Sequence, residues 1–308
     1  MDALTSLMPV YNDWESARLV IEQLDPGGVT AVVLVVDDCS TDARPDPWLT
    51  GQLKHIARVE ILRLRRNLGH QRALAIGLSY LHAERTSETI VVMDADGEDR
   101  PEDVPRLVAR FNELRRREVV FAARMRRSEN LLFRGGYHLF RGLHWLLPGI
   151  PVRVGNFSVL SRDHLGALTV TPDLWNHYAT SVMKTNVPYA LLATTRARRL
   201  AGRSKLNFVS MVVHVLSAIS VHTELVAVRL SLATLVFLGA LLALLATARP
   251  DWAAQTTGLL IVLVVQVLTV TLGFTLWILF NRNSLSFLPI RDYRFFVGAV
   301  TAVYDRQS

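Results

Sequence analysis

With a single cysteine, Cys39, the chain has no partner for an internal disulfide. That excludes a disulfide-stapled module and agrees with a reducing compartment. Both glycine fingerprints of nucleotide binding are missing as well: neither G-x-G-x-x-G nor G-x-x-x-x-G-K-[S/T] occurs, so dehydrogenase and P-loop chemistry lose their marks. No repeat of solenoid period and no low-complexity tract is present. The first residues have neither a basic segment nor a long apolar one, so no cleaved signal peptide is expected. His70, His144, His177 and His214 show no metal-ligand spacing, and each reads as a packed or surface histidine. The net charge of +7 comes without a nucleic-acid motif. Its cations gather near apolar runs, so lipid headgroups are the expected partner and nucleic acid is not.

What the chain does have is apolar length. Leu230–Ala248 carries no charge over 19 residues and Gly258–Phe280 none over 23. Each can cross a hydrocarbon core as a helix, and no comparable apolar segments exist to bury them as the core of a soluble protein. Trp252 and Trp277 stand where interfacial anchors belong. Arg196, Arg198, Arg199, Arg203, Lys205 and Arg229 precede the first run, and Arg282, Arg291 and Arg294 follow the second. By the positive-inside rule both flanks are expected in the cytoplasm, making a multi-pass protein of the inner or plasma membrane. The segment 131–147, mixed apolar and cationic, reads either as an interfacial helix or as an ordinary surface helix.

The amino-terminal two thirds alternates strand and helix patterns. Buried strands are expected at 3–10, 31–36, 59–64, 89–93, 119–123, 155–161 and 187–195, and helices around 14–24, 48–55, 73–81, 104–111 and 206–223. This α/β alternation argues for a mostly parallel, doubly wound sheet. The expected layout is a catalytic domain over 1–205, a juxtamembrane amphipathic helix over 206–224, a transmembrane hairpin over 225–280 and a cytoplasmic tail over 281–308. Two strands end in carboxylates: Asp37 and Asp38 follow one, Asp94 and Asp96 another. In open α/β sheets ligands bind at the carboxyl ends of strands. Hard oxygen donors there suit Mg²⁺ or Mn²⁺ carried with a phosphate-bearing substrate, with Glu98 as a third ligand. Asp94 and Asp96 could equally be a solvated turn, and Asp37 and Asp38 a helix cap.

Taken in order, Pro9-Val10-Tyr11-Asn12, Asp37-Asp38-Cys39-Ser40-Thr41-Asp42, Asn67-x-Gly69-His70-Gln71-x-Ala73-Leu74 and Asp94-Ala95-Asp96 make the chain resemble inverting family-2 nucleotide-sugar glycosyltransferases of GT-A fold. Within them it looks like the branch of dolichyl-phosphate mannose synthases and their bacterial polyprenyl-phosphate relatives. The resemblance implies that Pro9, Tyr11, Asn12, Asp37, Asp38, Asn67 and Gly69 surround a UDP- or GDP-linked sugar. Arg199, Ser204 and Lys205 would close over its diphosphate. Asp94, Asp96 and Glu98 would hold the metal. Arg124, Arg126 and Arg134 would meet the acceptor phosphate of a polyprenyl lipid in the bilayer, with Asp94, Asp96, Arg124 and Lys205 carrying catalysis. Self-association into a homo-oligomer stays open.

One position departs from the resemblance. Asn156-Phe157-Ser158 stands where relatives usually have Asp-Phe-Arg. An amide cannot act as a general base, which weighs against a hydroxyl acceptor and less against a phosphate that is already anionic. Another lipid acceptor, or a non-catalytic protein that binds nucleotide sugar, are the alternatives.

Overall fold

The computed structural model describes residues 4–49, 51–124, 154–202, 208–247, 252–281 and 287–306. They form two units. The first takes in the amino-terminal part to 129, residues 153–207 and residues 285–308; the second takes in 130–152 and 208–284.

In the first unit, β1 (Leu4–Val10), α1 (Trp14–Leu24), β2 (Val32–Asp37), β3 (Arg58–Leu64), α2 (His70–Glu84), β4 (Thr89–Val92) and α3 (Val104–Glu113) follow the expected alternation. β5 (Val119–Arg124), β6 (Val154–Ser161), β7 (Tyr189–Thr194) and β8 (Val297–Asp305) complete one eight-stranded sheet, ordered β7-β5-β6-β4-β1-β2-β3-β8. Its centre, β4-β1-β2-β3, is parallel, whereas β6 and β8 run antiparallel to their neighbours. The apolar run of β2 is buried on both faces, as a central parallel strand requires. Leu34 and Val36 join a core with α2, while Val33 and Val35 join a separate core with α1 and α3. Each such side chain contributes about 1.5–3 kcal/mol on full burial. At Gly77 of α2 an added Cβ would lie 2.7 Å from Leu7 Cδ1 and Val36 Cγ2, so the glycine lets the helix press onto the sheet.

One expected element fails to form. No helix forms over 48–55. The buried carboxylate of Asp25 accepts the successive backbone N–H groups of Lys54 (2.7 Å), His55 (2.7 Å) and Ile56 (2.9 Å), and donors spent on a side chain cannot feed a helical ladder. The tail, which could pack on the α/β part or lie on the membrane, joins the first unit: β8 pairs antiparallel with β3 from Leu64↔Val297 to Arg58↔Asp305 and so belongs to its sheet.

The second unit contains helices Phe208–Ser220, Thr223–Thr247 and Trp252–Asn281. Among the described residues one helix, Thr256–Trp277, is long and apolar enough to cross a membrane. The pair Val212–Ser220 and Thr223–Phe237, bent by 93°, adds a second if it counts as one span. The first of the two expected runs, 230–248, falls, up to residue 247, in the helix Thr223–Thr247. The segment 131–147 lies outside the described residues.

Asp25 yields a stability prediction. Burial pushes its carboxyl up, but the three N–H donors outweigh burial and hold it below the ordinary aspartate range. A depressed folded value means that the stabilisation exists at neutral pH and fades as the pH falls through that value. Asp25→Ala should cost about 2–3 kcal/mol at pH 7. Thermal unfolding as a function of pH checks this: the gap to the parent chain narrows only below the ordinary aspartate pKa of about 3.9.

Candidate active site

The carboxyl edge of the parallel strands gathers the motif residues. Beyond β1 the backbone turns through Asn12, whose φ of 52° is left-handed, a conformation asparagine tolerates. The Asn12 amide ties two loops together: its Oδ1 accepts from the N–H of Thr41 (2.8 Å) and Asp42 (3.0 Å), and its Nδ2 donates to Thr41 Oγ1 (2.8 Å). Asp38, buried, reaches the next loop and accepts from the N–H of Leu68 (2.7 Å) and Gly69 (2.8 Å). Burial pushes its carboxyl up to about 6 against those two donors. Asp37 accepts from Ser40 N–H (2.8 Å) and lies 3.6 Å from Arg63. Neither Asp37 nor Asp38 caps a helix through its own side chain; both shape the rim. Asn67 donates to the Asp38 carbonyl (3.2 Å), Tyr11 is exposed, and Pro9 is buried within β1.

The loop after β4 is tightly turned. Asp96 Oδ1 accepts Glu98 N–H (3.0 Å), Asp99 accepts Asp94 N–H (3.1 Å), and Gly97 takes a φ of 81°. A strap, 196–201, runs along this loop: Ala197 N–H donates to Glu98 O and Leu200 N–H to Asp96 O, both at 3.0 Å. From the strap, Arg199 bridges two carboxylates, bonding Asp96 Oδ2 (3.2 Å) and the side chain of Asp13. Arg196 pairs with Glu98. Desolvation and the neighbouring Asp94 charge push the Asp96 carboxyl up to about 6, with Arg199 and Arg196 pulling the other way.

β6 is antiparallel to β4, with Val92 opposite Ser158, so Asn156 comes to face Asp94. The Asn156 side chain closes a polar chain. Tyr178 N–H donates to Gln71 Oε1 (2.8 Å), and Gln71 Nε2 donates to Asn156 Oδ1 (3.2 Å). Asn156 Nδ2 then meets His70 Nε2 (2.8 Å) and Asp94 Oδ1 (3.5 Å). His70 Nε2 lies 3.3 Å from Asp94 Oδ1. Desolvation lowers the His70 pKa, but Asp94, with Asp96 and Asp38 behind it, outweighs that and raises it.

The structure thus brings Asp94, Asp96 and Arg199 together, and places Asn12, Asp37, Asp38, Asn67 and Gly69 around the same edge. Arg126, Arg134, Ser204 and Lys205 lie outside the described residues, and of Arg124 only the backbone, at the end of β5, is described. Glu98 pairs with Arg196, and among the described residues no three His, Cys, Asp or Glu side chains converge as a metal cluster. Asp94 and Asp96 alone still suit a divalent cation. Desolvation and the Asp94 charge make it costly for Asp96 to stay ionised, a cost that a bound cation would relieve, and magnesium sites often use one or two carboxylates plus substrate phosphate. Asp13, His70, Gln71 and Arg196 were given no site role by sequence reasoning, although His70 and Gln71 stand inside the quoted Asn67 motif and Asp13 directly follows the Asn12 motif.

Residues 5–169 match the family model described as Glycosyl transferase family 2. The chain is 30% identical over 165 residues to the uncharacterized glycosyltransferase YkcC of Bacillus subtilis (strain 168), covering 51% of this chain and 48% of that protein. It is 29% identical over 129 residues to an undecaprenyl-phosphate 4-deoxy-4-formamido-L-arabinose transferase of Salmonella paratyphi B, covering 41% and 38%. The chain therefore spans about half or less of the length of these curated relatives. Among solved structures, glucosyl-3-phosphoglycerate synthase from Mycobacterium tuberculosis, in complex with Mn²⁺, UDP-glucose and phosphoglyceric acid, superposes with a TM-score of 0.51 at 16% identity over 71% of this chain and 78% of that one. A second mycobacterial protein gives 0.51 at 16% over 73% and 75%. At this identity the likeness establishes the fold: an α/β, GT-A-like, mostly parallel sheet.

Gly97 supplies a test of the strap. A Cβ there would lie 2.4 Å from Leu200 Cγ and 2.6 Å from Leu200 Cδ1, on a backbone that disfavours side chains. Gly97→Ala should lift the strap from its loop. Limited trypsinolysis checks this: cleavage after Arg196, Arg198 or Arg199 is expected several-fold faster than in the parent chain, with the other sites unchanged.

Proposed function

Because the chain belongs to glycosyl transferase family 2, we propose that it moves one sugar from a UDP- or GDP-linked donor to a polyprenyl phosphate in the bilayer, with inversion at the anomeric carbon. The observation that carries this reading is the Asp94, Asp96 and Arg199 constellation at the carboxyl edge. A family relative that uses undecaprenyl phosphate, and an apolar helix at Thr256–Trp277, support the acceptor and the membrane setting.

In this reading the residues divide the work by chemistry. Asp94 and Asp96 hold Mg²⁺ or Mn²⁺, which when bound supplies positive charge to the donor diphosphate. Arg199, already at Asp96, turns to the same diphosphate and stabilises the leaving nucleotide, with Lys205 and Ser204 following it in the chain. Tyr11, Asn67 and the rim built by Asn12, Asp37, Asp38 and Gly69 receive the nucleoside beside Pro9. Arg124, Arg126 and Arg134 attract the acceptor phosphate. Asn156 donates rather than accepts at Nδ2, so it orients and takes no proton. A phosphate oxygen needs none removed: attack forms the bond from the anomeric carbon to that oxygen while the bond to the nucleotide diphosphate breaks, and catalysis reduces to positioning and charge. The catalytic unit lies on the cytoplasmic side of a cell membrane, with the helical unit as its anchor.

The test is a transfer assay with labelled UDP- and GDP-sugars, undecaprenyl phosphate and Mg²⁺ or Mn²⁺. One donor should give an acid-labile lipid product that is lost with chelator. Asp96→Asn should cut the rate by at least ~10²-fold, the scale of a lost charge-stabilising contact. Nucleotide-sugar binding without product from any donor would overturn the reading.

A further inference from the structure

We propose that the corner formed by Phe295, Arg65, Arg66 and Arg294 is a docking surface that seats the catalytic unit on an anionic bilayer. The inference rests on the membrane reading above.

Phe295 is 74% exposed, more than any other large apolar side chain among the described residues, including those on the apolar helices. The fold had room for an aromatic ring close by. Its neighbour Phe296 packs against Trp175 and Phe287, with ring centroids 5.3 and 5.5 Å apart, while Phe295 stays exposed. Cations stand on the residue next to it in sequence and just past the end of the paired strand. Arg66 lies 6.0 Å from the Phe296 ring, and Arg65 donates to the Val297 carbonyl (3.0 Å). Neither has a carboxylate partner among the described residues. Arg294 is 72% exposed although it meets Glu84 at 2.5 Å. Counting Arg65, Arg66 and Arg294 against Glu84, the corner carries a phenyl ring and net positive charge. An interfacial anchor has that composition: the ring enters the acyl boundary and the guanidinium groups stay on lipid phosphates.

The place agrees with the chemistry. Leu64 pairs with Val297, so the turn carrying Phe295 sits at the carboxyl edge, where the site lies. In the sequence the short helix beginning at Pro289 follows the apolar helix ending at Asn281 by eight residues, a tether of at most about 28 Å. An isologous contact with a second copy would set the same arginines against one another, which favours lipid over self-association.

The test uses the full chain in nanodiscs containing phosphatidylglycerol, with Cys39→Ser and Phe295→Cys carrying a polarity-sensitive fluorophore, and a control probe at exposed Glu88→Cys on the opposite edge. The expected result is blue-shifted emission at 295, quenching by a shallow lipid-borne nitroxide, and at least ~3-fold lower quenching by aqueous iodide than at 88. Arg65→Gln with Arg66→Gln should remove most of the shift. A probe at 295 as open to iodide as the control, in chain that co-purifies with nanodiscs, overturns this inference and leaves the anchoring intact. Chain that elutes free of nanodiscs overturns both. Protection from iodide without lipid quenching, at doubled mass, assigns the corner to a second copy and overturns it too.

Discussion

Crowding several carboxylates at one sheet edge is the constraint around which the catalytic unit is arranged. Asp13, Asp37, Asp38, Asp94 and Asp96 all stand there, and Asp37 and Asp38 are buried. Unpaired, such groups would take up protons rather than stay charged. The loops answer with donors: Leu68 and Gly69 for Asp38, Ser40 for Asp37, Glu98 and Arg199 for Asp96. A guanidinium about 4 Å from a carboxylate attracts it by about 4 kcal/mol at an effective dielectric of 20. That is the same scale as the desolvation penalty it opposes, so Asp96 sits near balance, its carboxyl pushed up to about 6 despite the pairing.

Backbone conformation keeps that balance local. The left-handed Gly97 allows Asp96 to accept from Glu98 N–H two residues on, while leaving room for Leu200 to lie over the loop. The strap is thereby registered by two backbone hydrogen bonds before any side chain is considered. Arg199 inherits its position from the strap, and Asp13, at the start of α1, fixes its other end.

The strands that build the edge were legible because buried parallel strands must be continuously apolar. 31–36 and 89–93 read as strands ending in acids, and β2 and β4 end there. The segment 48–55 misled because its apolar spacing fits a helix, whereas the competing acceptor, Asp25, lies far upstream in sequence. β8 stayed hidden for a similar reason: its inward residues Val297, Val300 and Val303 recur every third position rather than every second, its pairing carries register shifts, and only contact with β3 defines it. At the site, Asp94, Asp96 and Arg199 were visible as residue types in motifs. The partnership of Gln71 with Asn156 was not, because it arises from an antiparallel strand returning beside β4.

Asn156 shows how that return bears on the proposed chemistry. The amide faces Asp94 directly, and Gln71, itself locked to the Tyr178 backbone, fixes which end accepts. A carboxylate here would add a third negative charge beside Asp94 and Asp96, at the place a dianionic or monoanionic phosphate acceptor has to approach. Like charges at contact distance oppose each other by about the same 4 kcal/mol that Arg199 supplies in attraction, enough to cancel its benefit. For an alcohol acceptor that cost would be offset by the proton the carboxylate removes. For a phosphate it would have no return, so an amide with its N–H directed into the site suits an anionic acceptor on electrostatic grounds, independently of whether a base is required.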